Sequence, residues 1–432
     1  MMNGMWGLLG PETVSSARRV RGLGVGSCVR NFNDLAVPGI GGIWFGKQLL
    51  LSTLGIVVAE KARDSGAKVH NIEVTNAIEA AACLMALAGS QWERDPRLLG
   101  ATKLMGRALG KNAPPFKVVR QRNFYVTQPM RMASVQALPA LGLVSASGQR
   151  FNAFEVTDAG RQFVEAACSK VTKNLVRWVM GSEELSLNIP QLKEISPLTP
   201  LPESASSLLV QRLLNGAAGE AKEDRDRRAN AWHWAAANAA HHSHTWASRP
   251  DVISEHHWND LQAGALFFAV RDAAIALLDA LEAKLRNQTG NMSLSLPNWS
   301  RDHSGALTEQ LAALRTAATA YRAFPRTAND DEANRFCNEC KHPEDDKLLR
   351  ALVKRDSRVL VLHGEEITPG PAFRAGAAST SQGGSSDTAE SEEESSASPD
   401  EFALPDGISY RMRNMWYLQR NLTNASQKAV SV

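Results

Sequence analysis

Two stretches of this chain hold side chains able to bind a metal or move a proton. The first is Cys337-Asn-Glu-Cys340-Lys-His342. A C-x2-C pair is half of a tetrahedral zinc site. His342 would be a third ligand, and His363 or a histidine-rich stretch upstream a fourth. No second C-x2-C occurs, so a structural zinc is the one cofactor the sequence suggests, and none is required. The second stretch is RRANAWHWAAANAAHHSHTW, followed by SEHHW. On a helix, His233, His241 and His244 fall on roughly one face, and His256 and His257 would complete a site if the chain folds back. No Asp or Glu stands at ligand spacing within that helix, and Trp232, Trp234 and Trp246 point to a packed aromatic seam. These histidines therefore read as structural or surface residues. No Ser-His-Asp set, phosphate loop or carboxylate pair stands in the context its chemistry needs. The glycines at 22, 24 and 26 follow no strand and make no dinucleotide fingerprint.

Attraction to phosphate is a different chemistry, and here charge points to it. Between Lys117 and Arg177 nine Lys/Arg stand against three Asp/Glu, the direction phosphate binding requires. The same region has an ordered pattern. A helical run with Met130, Val135 and Leu138 leads to a short apolar strand at 141–144 and a polar turn at 145–150. A returning strand follows through Phe151, Phe154 and Val156, then a helix with Thr157 as N-cap.

GLVSASGQRFNAFEVTDAGRQFVEA, within 115–178, resembles the second half of a winged helix-turn-helix module. Gly142-Leu143-Val144 matches its first strand, Ser147-Gly148-Gln149 its wing tip, and Thr157, Gly160 and Arg161 the entry to its last helix. The resemblance implies that the helix before Leu141 enters the major groove, with Arg131 and Gln136 reading bases. It also implies that Arg150 on the wing, with Lys117, Arg120, Arg122, Lys170 and Lys173, meets phosphates. Pro139 ends that reading helix near Gln136 or Ala137, which favours backbone binding or docking over base reading. A second, shorter resemblance is Arg228-x4-His233, similar to the Arg-to-His spacing of the HEPN ribonucleases, which are helical bundles. It implies His233 as base and Arg228 as the cation at the phosphorane. The residue after Arg228 is Ala, where that family favours a polar one.

Around these residues the pattern predicts a mainly α chain: a helical N-terminal domain with a winged-helix module, then a helical bundle and a disordered acidic linker. The expected segments are a basic helical domain (1–112), the winged-helix-like module (113–180) and a Pro-rich connector (181–203). A helical bundle follows (204–328), with Phe267, Val270, Ala274, Leu277, Leu281 and Leu285 on one stripe and Leu307, Leu311, Leu314, Ala318 and Tyr321 on another. A small Cys/His-containing α/β segment (329–368) comes next, with a strand at 359–363. The acidic linker (369–406) and a C-terminal docking segment (407–432) complete the chain. Within the first domain, Thr75 or Asn76 is the expected cap of the helix carrying Ile78, Ala82 and Met85.

Net charge is only +3, but it is unevenly spread. Residues 1–130 hold sixteen Lys/Arg against eight Asp/Glu, whereas 375–406 hold eight acids and no base. Small polar and acidic residues bury too little apolar surface to offset ordering entropy, so the acidic stretch is expected to be disordered. A tethered polyanion could also compete with nucleic acid for a basic face. Five scattered cysteines argue against a disulfide framework, and no signal sequence or long uninterrupted apolar run is evident; the longest, 49–59, reads as a core helix. The sequence thus predicts a cytoplasmic, non-enzymatic subunit that binds nucleic acid, DNA in first place, or other protein subunits or itself, with no membrane. The alternatives are a helical-bundle nuclease using 228–257 and a protein-interaction scaffold.

Overall fold

The computed structural model describes residues 21–105, 112–121, 124–148, 150–237, 245–288, 292–297, 299, 305, 307–325, 330–373 and 404–429, with side chains as far as residue 423. These residues are mainly helical. In chain order they form α1 (Gly26–Ala36), α2 (Gly46–Asp64), α3 (Asn71–Gly89), α4 (Ala101–Met105), α5 (Phe116–Val119), α6 (Arg131–Ser134) and α7 (Ala137–Ala140), then β1 (Val144–Ala146), β2 (Phe154–Val156) and α8 (Asp158–Met180). After these come α9 (Glu203–Asn215), α10 (Lys222–Ala237), α11 (Glu255–Arg286), β3 (Leu294–Ser295), α12 (Thr308–Ala323), α13 (Asp331–Cys340), α14 (Asp345–Asp356), β4 (Leu360–His363), β5 (Glu366–Pro369) and α15 (Tyr410–Ala429). The acidic stretch at 374–403, Arg122, Gln149, His241 and His244 lie outside the described residues.

The chain divides into two compact units, Asn31–Gly264 with Glu393–Val432, and Met1–Arg30 with Ala265–Glu392. The borders differ from those expected: 264/265 falls inside the 204–328 bundle, and segments 113–180, 181–203 and 407–432 share one unit. Helix length accounts for the first difference. The 32 residues of α11 span about 48 Å, more than the ~30 Å diameter of a small domain, so its two ends serve different cores.

In the unit built on 31–264, α2 is the central rod, buried around most of its circumference and packed on α3 and α8. Gly55 lets α3 approach closely, because a Cβ there would collide with Thr75. Thr75 is therefore a buried mid-helix residue and not the expected cap. The helix starts earlier, at Asn71, where the Glu73 carboxylate accepts the His70 main-chain N–H at 3.0 Å. The stretch before β1 folds as two separate short helices, α6 and α7. Pro139 sits in the first turn of α7, where its missing N–H leaves no bond unmade. The expected single helix, stopped by that proline, is corrected to two turns with the break before it.

β1 and β2 pair antiparallel, Val144 opposite Val156 and Ala146 opposite Phe154. Gly142 holds φ +66° at the approach to the hairpin. At Gly160 a Cβ would run into the Leu143 main-chain oxygen, so α8 can begin against β1 only with glycine there. The Thr157 hydroxyl accepts the Gly160 N–H at 3.2 Å and donates to Gly142 O at 2.7 Å. Helix α8 ends in the left-handed residue Gly181, and its helical geometry breaks once, at Cys168. The Pro-rich stretch after it is more than a connector: Pro190–Ile195 forms a 3₁₀ turn with Leu192 and Ile195 fully buried. Helix α15 packs on α9 and α10 through Met412, Met415, Trp416, Leu418 and Leu422.

In the other unit, Phe267, Val270, Ala274, Leu277, Leu281 and Leu285 are all fully buried, as the periodicity predicts. The Phe267 ring meets Tyr321 of α12 at 5.6 Å and Phe336 of α13 at 6.1 Å. β3, β5 and β4 form an antiparallel sheet in that order. Arg21 is buried among three carboxylates, 2.8 Å from Asp279, 2.6 Å from Asp356 and also paired with Glu282. Helices α3 and α11 are long and apolar enough to cross a membrane by length and composition, although charged or polar residues interrupt their apolar runs. Of their most apolar windows, 67% and 56% are buried inside the protein; core helices reach the same apolarity.

Candidate nucleic-acid interface

The residues expected to read bases are tied to neighbouring helices. Arg131 opens α6 with its main-chain N–H donated to Glu79 Oε1 at 2.8 Å and its Nε to Asn76 Oδ1 at 2.6 Å, and its guanidinium lies 5.6 Å from the Phe151 ring centre. Gln136 lies on the surface, but its Oε1 accepts from Arg411 Nη2 at 2.8 Å, and Arg411 is fully buried. Behind them Ser134 Oγ donates to Ser52 Oγ at 2.7 Å, and Gly42 N donates to Ala133 O at 3.2 Å. The two short helices are thus fastened from the core side. Under them, burial pushes the Glu79 carboxyl up to about 8, with the Arg131 charge only partly offsetting it. Its second oxygen has no hydrogen-bond partner among the described residues. A neutral acid fits that position.

The residues expected to meet phosphate fare differently. Arg120 is half-buried, paired with Glu73 at 2.6 Å and stacked on Phe116 at 5.5 Å. Lys117, Arg150, Lys170 and Lys173 are exposed and make no ion pair with any described residue. Glu155 and Asp158, exposed on β2 and the start of α8, balance the charge of Arg150 on the hairpin. The second half of α8 carries the stronger feature. Lys170, Lys173 and Arg177 stand at i, i+3 and i+7, opposite the buried Val171, Leu175 and Trp178. They form an outward basic stripe about 10 Å long. Arg177 pairs at 2.9 Å with Glu183, but both are about half exposed, so the pair is weak and readily exchanged. A cavity of about 670 Å³ lies at the end of this helix, lined by Ala113, Pro115, Phe116, Trp178, Glu183 and Glu184 among others. Its two carboxylates make it a poor anion site.

The motif residues of α8 have structural work. Arg161 pairs with Glu60 of α2 at 3.0 Å, and Thr157 and Gly160 shape the helix start. The spacing Gly41-x4-Gly46-Lys47 approaches a phosphate loop but has Gln48 where that motif needs Ser or Thr, and the fold disqualifies it. Gly46 N donates to Asn421 Oδ1, the Gln48 amide oxygen caps Trp44 N and Phe45 N, and Lys47 turns inward to Glu194 O. Burial pulls the Lys47 ammonium down to about 8.

The Arg228/His233 pair does not converge. Arg228 is fully buried, its guanidinium forked onto Glu220 with two bonds of 2.6 Å, with further bonds to Leu213 O and Pro38 O. His233, five residues along α10, is exposed. Five residues turn a helix by about 140°, so one residue faces the core and the other faces water. Beside them sits a charged cluster that spacing did not single out. Arg227 bridges Asp260 at 2.7 Å and Glu223 at 2.9 Å, and His256 lies 3.2 Å from Glu223 and 3.4 Å from Asp260. Fully buried His257 bonds Ala36 O through Nε2 at 2.8 Å, and burial pulls it down to about 4. The guanidinium occupies the place between the carboxylates that a metal would need.

Cys337 and Cys340 are fully buried on α13, while His342 lies beyond the helix end with Nδ1 accepting Glu344 N at 3.2 Å. Burial, then the neighbouring Cys337, raises the Cys340 thiol well above its usual range. No group of three or more metal-ligating side chains comes together among the described residues, so the zinc set expected from Cys337, Cys340 and His342 is not assembled. All five cysteines are buried, and none is in a disulfide. No protein-family model, curated protein or solved structure matches this chain.

Proposed function

We propose that the chain is a nucleic-acid-binding subunit of a cytoplasmic, bacterial-type assembly, in which residues 113–180 act as a winged-helix-like module that grips phosphate. The observation that carries this reading is the stripe of Lys170, Lys173 and Arg177 on the outward face of α8. Its support is twofold: the order α6, α7, β1, β2, α8 follows the second half of such a module, and Lys117 adds a base on α5, which packs against α8. The reading assigns binding and not catalysis, since the burial of Arg228 under Glu220 removes the cation a nuclease pair would need.

The test is the anisotropy of labelled duplex DNA with the purified full chain at about 50 and 200 mM salt. Binding should weaken steeply with salt. Loss of two phosphate contacts in Lys170→Gln/Lys173→Gln should shrink that salt-dependent drop about tenfold. A duplex that is not bound at low salt, or a double variant identical to wild type, refutes the reading.

A further inference from the structure

Resting on that reading, we infer that the module is a sequence-blind clamp for the phosphate backbone of duplex DNA, reading no bases and preferring the duplex to a single strand. Base reading in the major groove needs donors and acceptors projecting from the inserted element. Across α6 and α7 the side chains that reach the surface, wholly or in part, are those of Arg131, Met132, Val135, Gln136, Pro139 and Ala140. Of these only Arg131 and Gln136 bear hydrogen-bonding groups. Arg131 Nε is spent on Asn76 and its guanidinium leans on Phe151. The Gln136 oxygen is spent on Arg411. The Nε edge of the Arg131 fork and the Gln136 oxygen are thus already engaged, which disfavours the bidentate pairings by which Arg recognises guanine and Gln recognises adenine. Freeing either would break a contact to the core.

Single-stranded recognition works by a different device, aromatic rings on which unpaired bases stack. Every described aromatic side chain from Phe116 to Trp178 is buried, Phe151, Phe154, Phe163 and Trp178 among them. What the module offers outward is cation without ring and without code: Lys117, Lys170, Lys173 and Arg177. A stripe about 10 Å long on one rigid helix suits a phosphate track of fixed geometry, which a duplex supplies and a flexible strand does not.

The experiment compares the full chain on two unrelated duplexes of equal length and composition, on one of their single strands and on a matching RNA duplex. The two DNA duplexes should bind within about twofold of each other, where base readers separate sites by about 10³ or more. The single strand should bind about tenfold more weakly. Gln136→Ala should leave these ratios unchanged, while Lys173→Gln should weaken both duplexes equally and lower the salt slope by about 1. Tenfold preference for one duplex, or tighter binding of the single strand, overturns the inference while the nucleic-acid reading stands. An RNA duplex bound better than DNA overturns the choice of DNA. Absence of binding to every probe sinks both.

Discussion

Glu79 and His257 pull the pH dependence of stability in opposite directions, and each can be isolated. The Glu79 carboxyl sits at about 8 in the folded protein, against about 4.3 unfolded. The folded state holds the extra proton across that window, so stability falls as pH rises from about 4.3 to 8. His257 sits at about 4 when folded, against about 6.5 unfolded. The unfolded state takes its proton first, so this contribution to stability is lost as pH falls from about 6.5 to 4. Between about pH 4.3 and 6.5 the two slopes cancel, so melting temperature should be level there and fall as pH rises from about 6.5 to 8. Glu79→Gln should remove the alkaline fall and raise the melting temperature at pH 8, and His257→Gln should leave the melting temperature climbing as pH falls from about 6.5 to 4.3. Unchanged pH profiles in thermal scans of the two variants would refute the assignment. Arg228 gives a second residue-scale prediction. Arg228→Ala strands the largely buried Glu220 carboxylate and should cost about 3–5 kcal/mol in denaturant unfolding. Exposed His233→Ala should stay within about 0.5 kcal/mol. Equal effects of the two substitutions would restore a common role for the pair.

At the scale of elements, the last part of the module has a sequence signature because packing demands it. Thr157→Ala should cost about 1 kcal/mol by loss of the cap. Gly160→Ala, which drives a Cβ into the Leu143 carbonyl, should cost about 1–3 kcal/mol. The check is the chemical denaturation midpoint; a neutral Gly160→Ala would mean that α8 can back away from β1. The hairpin, α8 and the apolar stripe of α11 were legible because period, cap and turn residues all agree there. The tying of Arg131 and Gln136 to other helices was not legible. It depends on partners far away in sequence, Asn76 and Glu79 on α3 and Arg411 on α15, and local pattern carries no trace of them. The same holds for Arg228, whose neighbour on α10 gives no hint that Glu220 and two carbonyls surround it. The start of α3 was misread because Thr75 is a good cap by type, while its position was set by the notch at Gly55.

For the whole molecule the governing quantity is the separation of charge, sixteen Lys/Arg against eight Asp/Glu over 1–130 and eight acids without a base over 375–406. A net charge of +3 conceals a strong internal dipole of sequence. A tethered polyanion has an effective concentration of order millimolar at a basic face within its reach, and we propose that these acids compete with phosphate for the exposed bases of α8 when salt does not screen the attraction. Removing residues 381–401 deletes seven of the eight acids, Asp406 remaining. The shortened chain should bind duplex DNA more tightly than the full chain at about 50 mM salt, and the gap should close as salt approaches about 200 mM, since both the internal competition and the DNA contact weaken by the same screening. Its salt slope should therefore be steeper than that of the full chain. Equal affinities and equal slopes, measured side by side in the same titrations, would show that the acids act only on solubility and leave the basic stripe on α8 unopposed.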